Sequence, residues 1–162
     1  MDGPVHKIMV YIDGTEQSIT AAQYAICLSR AINAELTALY IVNTRALSDL
    51  LKTHIFVKSE EEEFQRDLEA DADRYLKHVR ELARQKGLLI QTIKTSGTIH
   101  QEIKNKIIEH NIDLLVLGEL SRIQSRRDEL YNEAERAMRS VPCSVLIVKN
   151  EDRVWELFDS LI

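Results

Sequence analysis

The sequence predicts an α/β protein: a doubly wound three-layer sandwich whose five parallel strands lie in the order 3-2-1-4-5. Three observations predict it. Short apolar runs alternate along the chain with longer segments of helical period, the mark of βαβ units. Those runs are nearly continuous in apolar residues, as suits strands covered on both faces. The chain has 162 residues, a size for one domain around one core, and is 44% hydrophobic with only 5 glycines and 2 prolines.

Taken in order, "HKIMVYID" (6–13) reads as the first strand. Asp13-Gly14-Thr15 turns the chain, and the stretch 17–34 repeats Ile19, Ala22, Ile26 and Ala25, Leu28, Ile32 at helical spacing. "ELTALYIV" (35–42) is the second strand, and 43–58, which has no clean period, is read as a loop. Ser59 with Glu62 makes a capping box, and Glu60 to Glu63 put negative charge where the helix dipole favours it. Phe64, Leu68, Tyr75, Val79 and Leu82 form the apolar stripe of this second helix, and Gly87 stops it. "LLIQTIKT" (88–95) is the third strand. "IHQEIKNKIIEH" (99–110) is the third helix with Ile99, Ile103 and Ile107 inward, and "DLLVLG" (113–118) the fourth strand. A fourth helix is predicted over 128–139, with Leu130, Ala134 and Met138 facing the core and Pro142 ending it. "SVLIVK" (144–149) is the fifth strand, and "DRVWELFDSLI" (152–162) a short amphipathic helix. The chain thus divides into a domain over 1–150 and a tail helix over 151–162.

Right-handed crossovers make strands 1 and 4 neighbours whose outgoing helices cover opposite faces. Such a switch point places a ligand beyond the carboxyl ends of the strands, with Asp13 on one lip and Gly118 on the other.

Composition excludes several functions. A net charge of -5 argues against affinity for nucleic acid or anionic membrane. No basic-then-apolar leader and no apolar run of membrane-spanning length is present, so the protein is expected in the cytoplasm. Cys27 and Cys143 form no C-x-x-C pair and are expected to be reduced, buried thiols. His6, His54, His78, His100 and His110 lack metal-ligand spacing and are expected at the surface or an interface. No nucleophile stands with a base and an orienting partner, so no enzyme is expected.

Four segments, "KIMVYIDGTEQSITAAQYAICLS", "SGTIHQEI", "DLLVLGELSR" and "VPCSVLIVKN", resemble in order and interval the universal stress proteins of the adenine-nucleotide hydrolase-like superfamily. Nucleotide-binding members carry, after the fourth strand, a glycine, two residues, a glycine, nine residues, a glycine, then serine or threonine. These positions fall here on Gly118, Ser121, Tyr131 and Asn132, and only Gly118 matches. The resemblance implies that Asp13 faces a ribose, that Val42 lines an adenine pocket, and that the loop after strand 4 wraps phosphates. It also implies dimerisation by antiparallel pairing of the last strands, here through Val145, Leu146, Ile147 and Val148.

Read physically, the departures disfavour ATP. Glycines in such loops let the backbone take φ > 0 and bring amide N–H groups to phosphate oxygens. A tyrosine forced into that left-handed conformation costs roughly 1–2 kcal/mol, besides the volume of its ring. Ser121 and Asn132 still offer polar groups. Arg122, Arg126 and Arg127 are either a substitute anion clamp or solvated loop residues, and Asp13 either touches ligand or braces its turn. The apolar last strand is too regular to be left as a bare edge. Trp155, Leu157, Phe158 and Leu161 are expected to be buried, against their own subunit or across a dimer. Two main readings follow. One is a stress-response homodimer acting through protein partners of unknown identity, with a degenerate nucleotide site and no cofactor. The other is a switch that binds ATP with magnesium, or another adenine nucleotide, between Asp13 and the arginine-bearing loop. A weak phosphohydrolase comes last, for want of a general base.

Overall fold

The computed structural model describes residues 3–44, 58–120 and 132–162. Ten elements alternate along them: β1 (Lys7–Ile12), α1 (Glu16–Ile32), β2 (Glu35–Asn43), α2 (Lys58–Gln85), β3 (Gln91–Gly97), α3 (Ile99–Glu109), β4 (Leu114–Gly118), α4 (Glu133–Ser140), β5 (Ser144–Val148) and α5 (Glu151–Ser160). The five strands form one parallel sheet in the order β3-β2-β1-β4-β5, as the alternation predicts.

The sheet separates two cores. On one face Ile8, Val10 and Ile12 pack with Ala21, Ala22, Ala25 and Ile26 of α1, with Leu76 and Val79 of α2, and with Val154 and Phe158 of α5. The three alanines bring α1 close to the sheet. On the other face Met9, Leu39, Leu115 and Leu117 pack with Ile103 and Ile107 of α3 and Ala137 of α4. Alternate β1 residues thus feed opposite cores, which is why the run is continuously apolar.

At the amino ends of the strands, the Asp113 carboxylate accepts the backbone N–H of His6 (2.8 Å) and of Lys7 (2.9 Å), tying the start of β1 to β4. These two hydrogen bonds, with the nearby charges of His6 and Lys7, hold its pKa below the usual carboxylate range against the opposing pull of burial.

Several expectations are corrected. The run 88–90 is not strand. Gly87 takes φ 72°, the Leu88 N–H donates back to the Ala83 carbonyl, and Leu89 is 91% exposed, so these residues close α2 and β3 starts only at Gln91. Ser59 stands inside α2 and not at its cap. The buried face of α2 is Ala72, Leu76, Val79 and Ala83, with Tyr75 and Leu82 at its margin. Asn132 caps α4, so Glu133 and Ala137 are the buried pair and Ala134 and Met138 are half-buried; Leu130 and the residues 128–131 lie outside the described residues. In α5, Val154 and Phe158 are buried, but Trp155 is 55% and Leu157 42% exposed on the single chain. One step along a helix turns a side chain by about 100°, which carries Trp155 off the buried stripe. Cys27 and Cys143 are half-buried free thiols, and burial pushes both pKa values up.

Candidate functional site

Three adjacent strands end on the same side of the sheet and bring Asp13, Val42 and Gly118 to it. Thr15 caps α1, its Oγ1 accepting from the Ser18 N–H at 3.2 Å. Asp13 Oδ1 accepts from the Thr15 N–H (3.0 Å) and from Thr15 Oγ1 (2.6 Å), so this carboxylate braces the turn while remaining exposed. Gly14 has φ 85°, and a Cβ there would stand 2.8 Å from the Tyr75 ring. That ring stacks on Tyr40 with centroids 6.0 Å apart, and the Arg74 guanidinium lies 5.1 Å over it. An aromatic pair from β2 and α2 therefore closes down on the β1 turn. Val42 is buried, at the register position beside Ser96 of β3.

Gly118 has a packing reason of its own. A Cβ at this position would lie 2.5 Å from the Gln17 carbonyl oxygen and 2.6 Å from its carbon, so the end of β4 runs against the first turn of α1.

Asn132, the last position of the glycine pattern, is engaged within its own helix. Its Oδ1 accepts from the Glu135 N–H (3.2 Å) and its Nδ2 donates to Glu135 Oε2 (2.7 Å). Ser121, Arg122, Arg126, Arg127 and Tyr131 lie outside the described residues. Among the described residues no group of three His, Cys, Asp or Glu side chains is placed to hold a metal ion. No described helix is long and apolar enough to cross a membrane.

The sequence reading missed one pair. Glu133, only 7% exposed, reaches from α4 to α3, where its Oε2 accepts the backbone N–H of His100 (3.0 Å) and meets His100 Nδ1 at 2.5 Å. Burial alone would raise the Glu133 pKa. The His100 side-chain and backbone hydrogen bonds, with the charges of His100 and Arg136, outweigh it and hold the carboxyl below its usual range. Tyr11, buried between Asp13, Tyr40 and Glu133, has its phenol pushed well up, first by burial and then by those charges, so it stays neutral. A carboxylate with a depressed folded pKa contributes stability above its unfolded value of about 4.3, and that stability is lost as pH falls through the folded value. Among the described residues, the charged or titratable groups that act on Glu133 are His100, Arg136 and Tyr11. Thermal midpoints of Glu133→Gln are therefore expected to fall less steeply than wild type below about pH 4.5; parallel slopes would contradict this.

Comparison with known proteins agrees with the fold. The family model described as the universal stress protein family matches residues 4–149. A universal stress protein of Methanocaldococcus jannaschii is 29% identical over 143 residues, covering 88% of this chain and 81% of that protein. Among solved structures, a universal stress protein of Lactobacillus plantarum superposes with TM-score 0.72 at 19% identity, over 91% of this chain and all of that one. Another, from Arabidopsis thaliana with AMP bound, gives TM-score 0.64 at 14% identity, over 91% of this chain and 94% of its own. A third, a universal stress protein in complex with cAMP, gives TM-score 0.64 at 19% identity, over 89% of this chain and 96% of its own. The structural likenesses show the fold; the family model, spanning nearly the whole sequence, shows the kinship, and the chain belongs to the universal stress protein family.

Proposed function

We propose that this chain is a stress-response protein that works in the cytoplasm as a homodimer through protein partners, and that its nucleotide crevice is degenerate and does not hold ATP. The observation that carries the second half is the start of α4. The family pattern would present that helix start to phosphate, but here the Asn132 amide is taken by Glu135, and the first turn carries the carboxylates of Glu133 and Glu135. A helix N-terminus filled by its own acidic residues has little left to offer a polyanion. The described residues at the start of α4 therefore favour a site that does not hold ATP.

The two sheet edges support the dimer. β3 carries an ion pair from Lys94 to Asp73 (3.0 Å) and a hydrogen bond from Arg80 to Thr92 (2.9 Å), charges that discourage pairing. β5, "SVLIV", carries no charge and is bonded on one side to β4. A second copy is the natural partner of that uncharged edge.

A second reading has its own support. The resemblance puts Asp13 and Val42 at the adenosine end of the site, and neighbours of this fold have AMP or cAMP bound. A ligand with one phosphate asks least of the altered loop. No catalysis is proposed.

Sedimentation of nucleotide-free protein at micromolar concentration is expected to show a dimer unchanged by ATP with magnesium, and Val145→Lys a monomer. A monomeric wild type, or a dimer that forms only with nucleotide, would contradict the proposal.

A further inference from the structure

α3 starts without a cap of its own. Thr98 stands at its N-cap in extended conformation but makes no side-chain cap hydrogen bond. The first N–H groups of a helix have no intrahelical acceptor and must find one elsewhere. For His100 the acceptor is Glu133 Oε2, contributed by a different helix 33 residues away in sequence. The same oxygen meets His100 Nδ1, so backbone and ring of one α3 residue converge on one carboxylate. Glu133 is also the first residue of α4, so its charge lies at the positive ends of two helix dipoles at once. Two such ends brought together repel, and a buried carboxylate between them removes the conflict.

On its other side α3 is tied to the sheet, because Glu102 accepts from Thr95 Oγ1 of β3 at 2.8 Å and packs where a Gly97 Cβ would stand. The start of α3 therefore joins the end of β3 to the start of α4.

We propose that Glu133 is an intramolecular anion that caps α3 from α4 and clamps the two helix starts, so that the β3–α3 turn and the first turn of α4 move as one body. His100 is the positioning residue of this clamp, fixing the carboxylate through Nδ1. A displacement of the turn at 97–98 is thereby felt at the start of α4, at 132–133, with or without a nucleotide.

Residue-resolved amide hydrogen exchange on the full chain tests it. The reporters are the His100 amide on α3 and, on α4, the Arg136 amide, which donates to the Asn132 carbonyl at 3.2 Å. His100→Ala is expected to speed exchange at Arg136 about five- to tenfold although the substitution lies on α3, an effect of the size a lost cap produces. His100→Asn, which keeps a donor near the Nδ1 position, is expected to restore slow exchange there. Glu133→Ala is expected to release both reporters. Acceleration confined to the helix that carries the substitution would overturn the clamp. Should Glu133→Ala fail to fold, the His100 pair decides alone.

Discussion

Gly118→Ala is expected to destabilise the fold by about 3 kcal/mol, at the upper end of what overpacking costs. The added Cβ would meet the Gln17 carbonyl oxygen at 2.5 Å, its carbon at 2.6 Å and the Gln17 Cβ at 3.0 Å. A flexible side-chain tip could turn aside. Here the obstacle is backbone in the first turn of α1, and moving it displaces the Thr15 cap and the Asp13 brace together. For a chain of this size the thermal midpoint should drop by roughly 6–12 °C. A midpoint within a degree of wild type would show that α1 can shift freely and that the crevice wall is soft. Gly118 is also the only glycine of the family's phosphate pattern that this sequence keeps. The close approach of α1 to β4 is reason enough for it, so its presence is no sign of a working phosphate cradle.

The double variant Tyr131→Gly, Asn132→Ser is expected to gain at least about tenfold in AMP affinity over wild type, or about 1.4 kcal/mol. Glycine restores a backbone that can take φ > 0 and removes the ring. Serine remains a good N-cap, so α4 keeps its start, while the reciprocal Asn132–Glu135 pairing is released. The gain should be smaller for ATP than for AMP, because the first turn of α4 still carries the negative charges of Glu133 and Glu135, which repel the additional phosphates. Equal affinity in variant and wild type, measured by the same titration, would mean that these two positions are not what closes the site.

Much of this architecture was legible in the sequence. "KIMVYI", "LTALYIV" and "LLVL" are buried on both faces, and continuous apolar runs of that length read plainly as parallel strands. The sequence pattern starts the third strand three residues early because Leu88, Leu89 and Ile90 are apolar for another reason. They follow the left-handed Gly87, and Leu88 and Ile90 pack back on the core while Leu89 points to water. In the tail, the average apolar content suggests burial of Trp155 and Leu157 on their own subunit or across a dimer; within the single chain the stripe that packs is Val154 and Phe158, with Lys86 lying 4.8 Å over the Phe158 ring. The start of α4 has a local signal in the sequence, since Asn132-x-x-Glu135 has the spacing of a capping box. The His100–Glu133 pair has none. Its residues meet only because β3 and β4 lie on opposite sides of the central strands while α3 and α4 share a face, and topology alone brings them together. At the crevice, the strand order predicts that Asp13, Val42 and Gly118 come to one end of the sheet, as they do, but whether a carboxylate braces its own turn is a matter of three-dimensional hydrogen bonds.

The most direct test is titration calorimetry of nucleotide-stripped wild-type protein with ATP and magnesium at modest salt. The degenerate-site account predicts no binding heat up to millimolar nucleotide. Saturable binding at micromolar affinity would contradict it, and would turn attention to Arg122, Arg126 and Arg127 as the groups that replace the missing glycines.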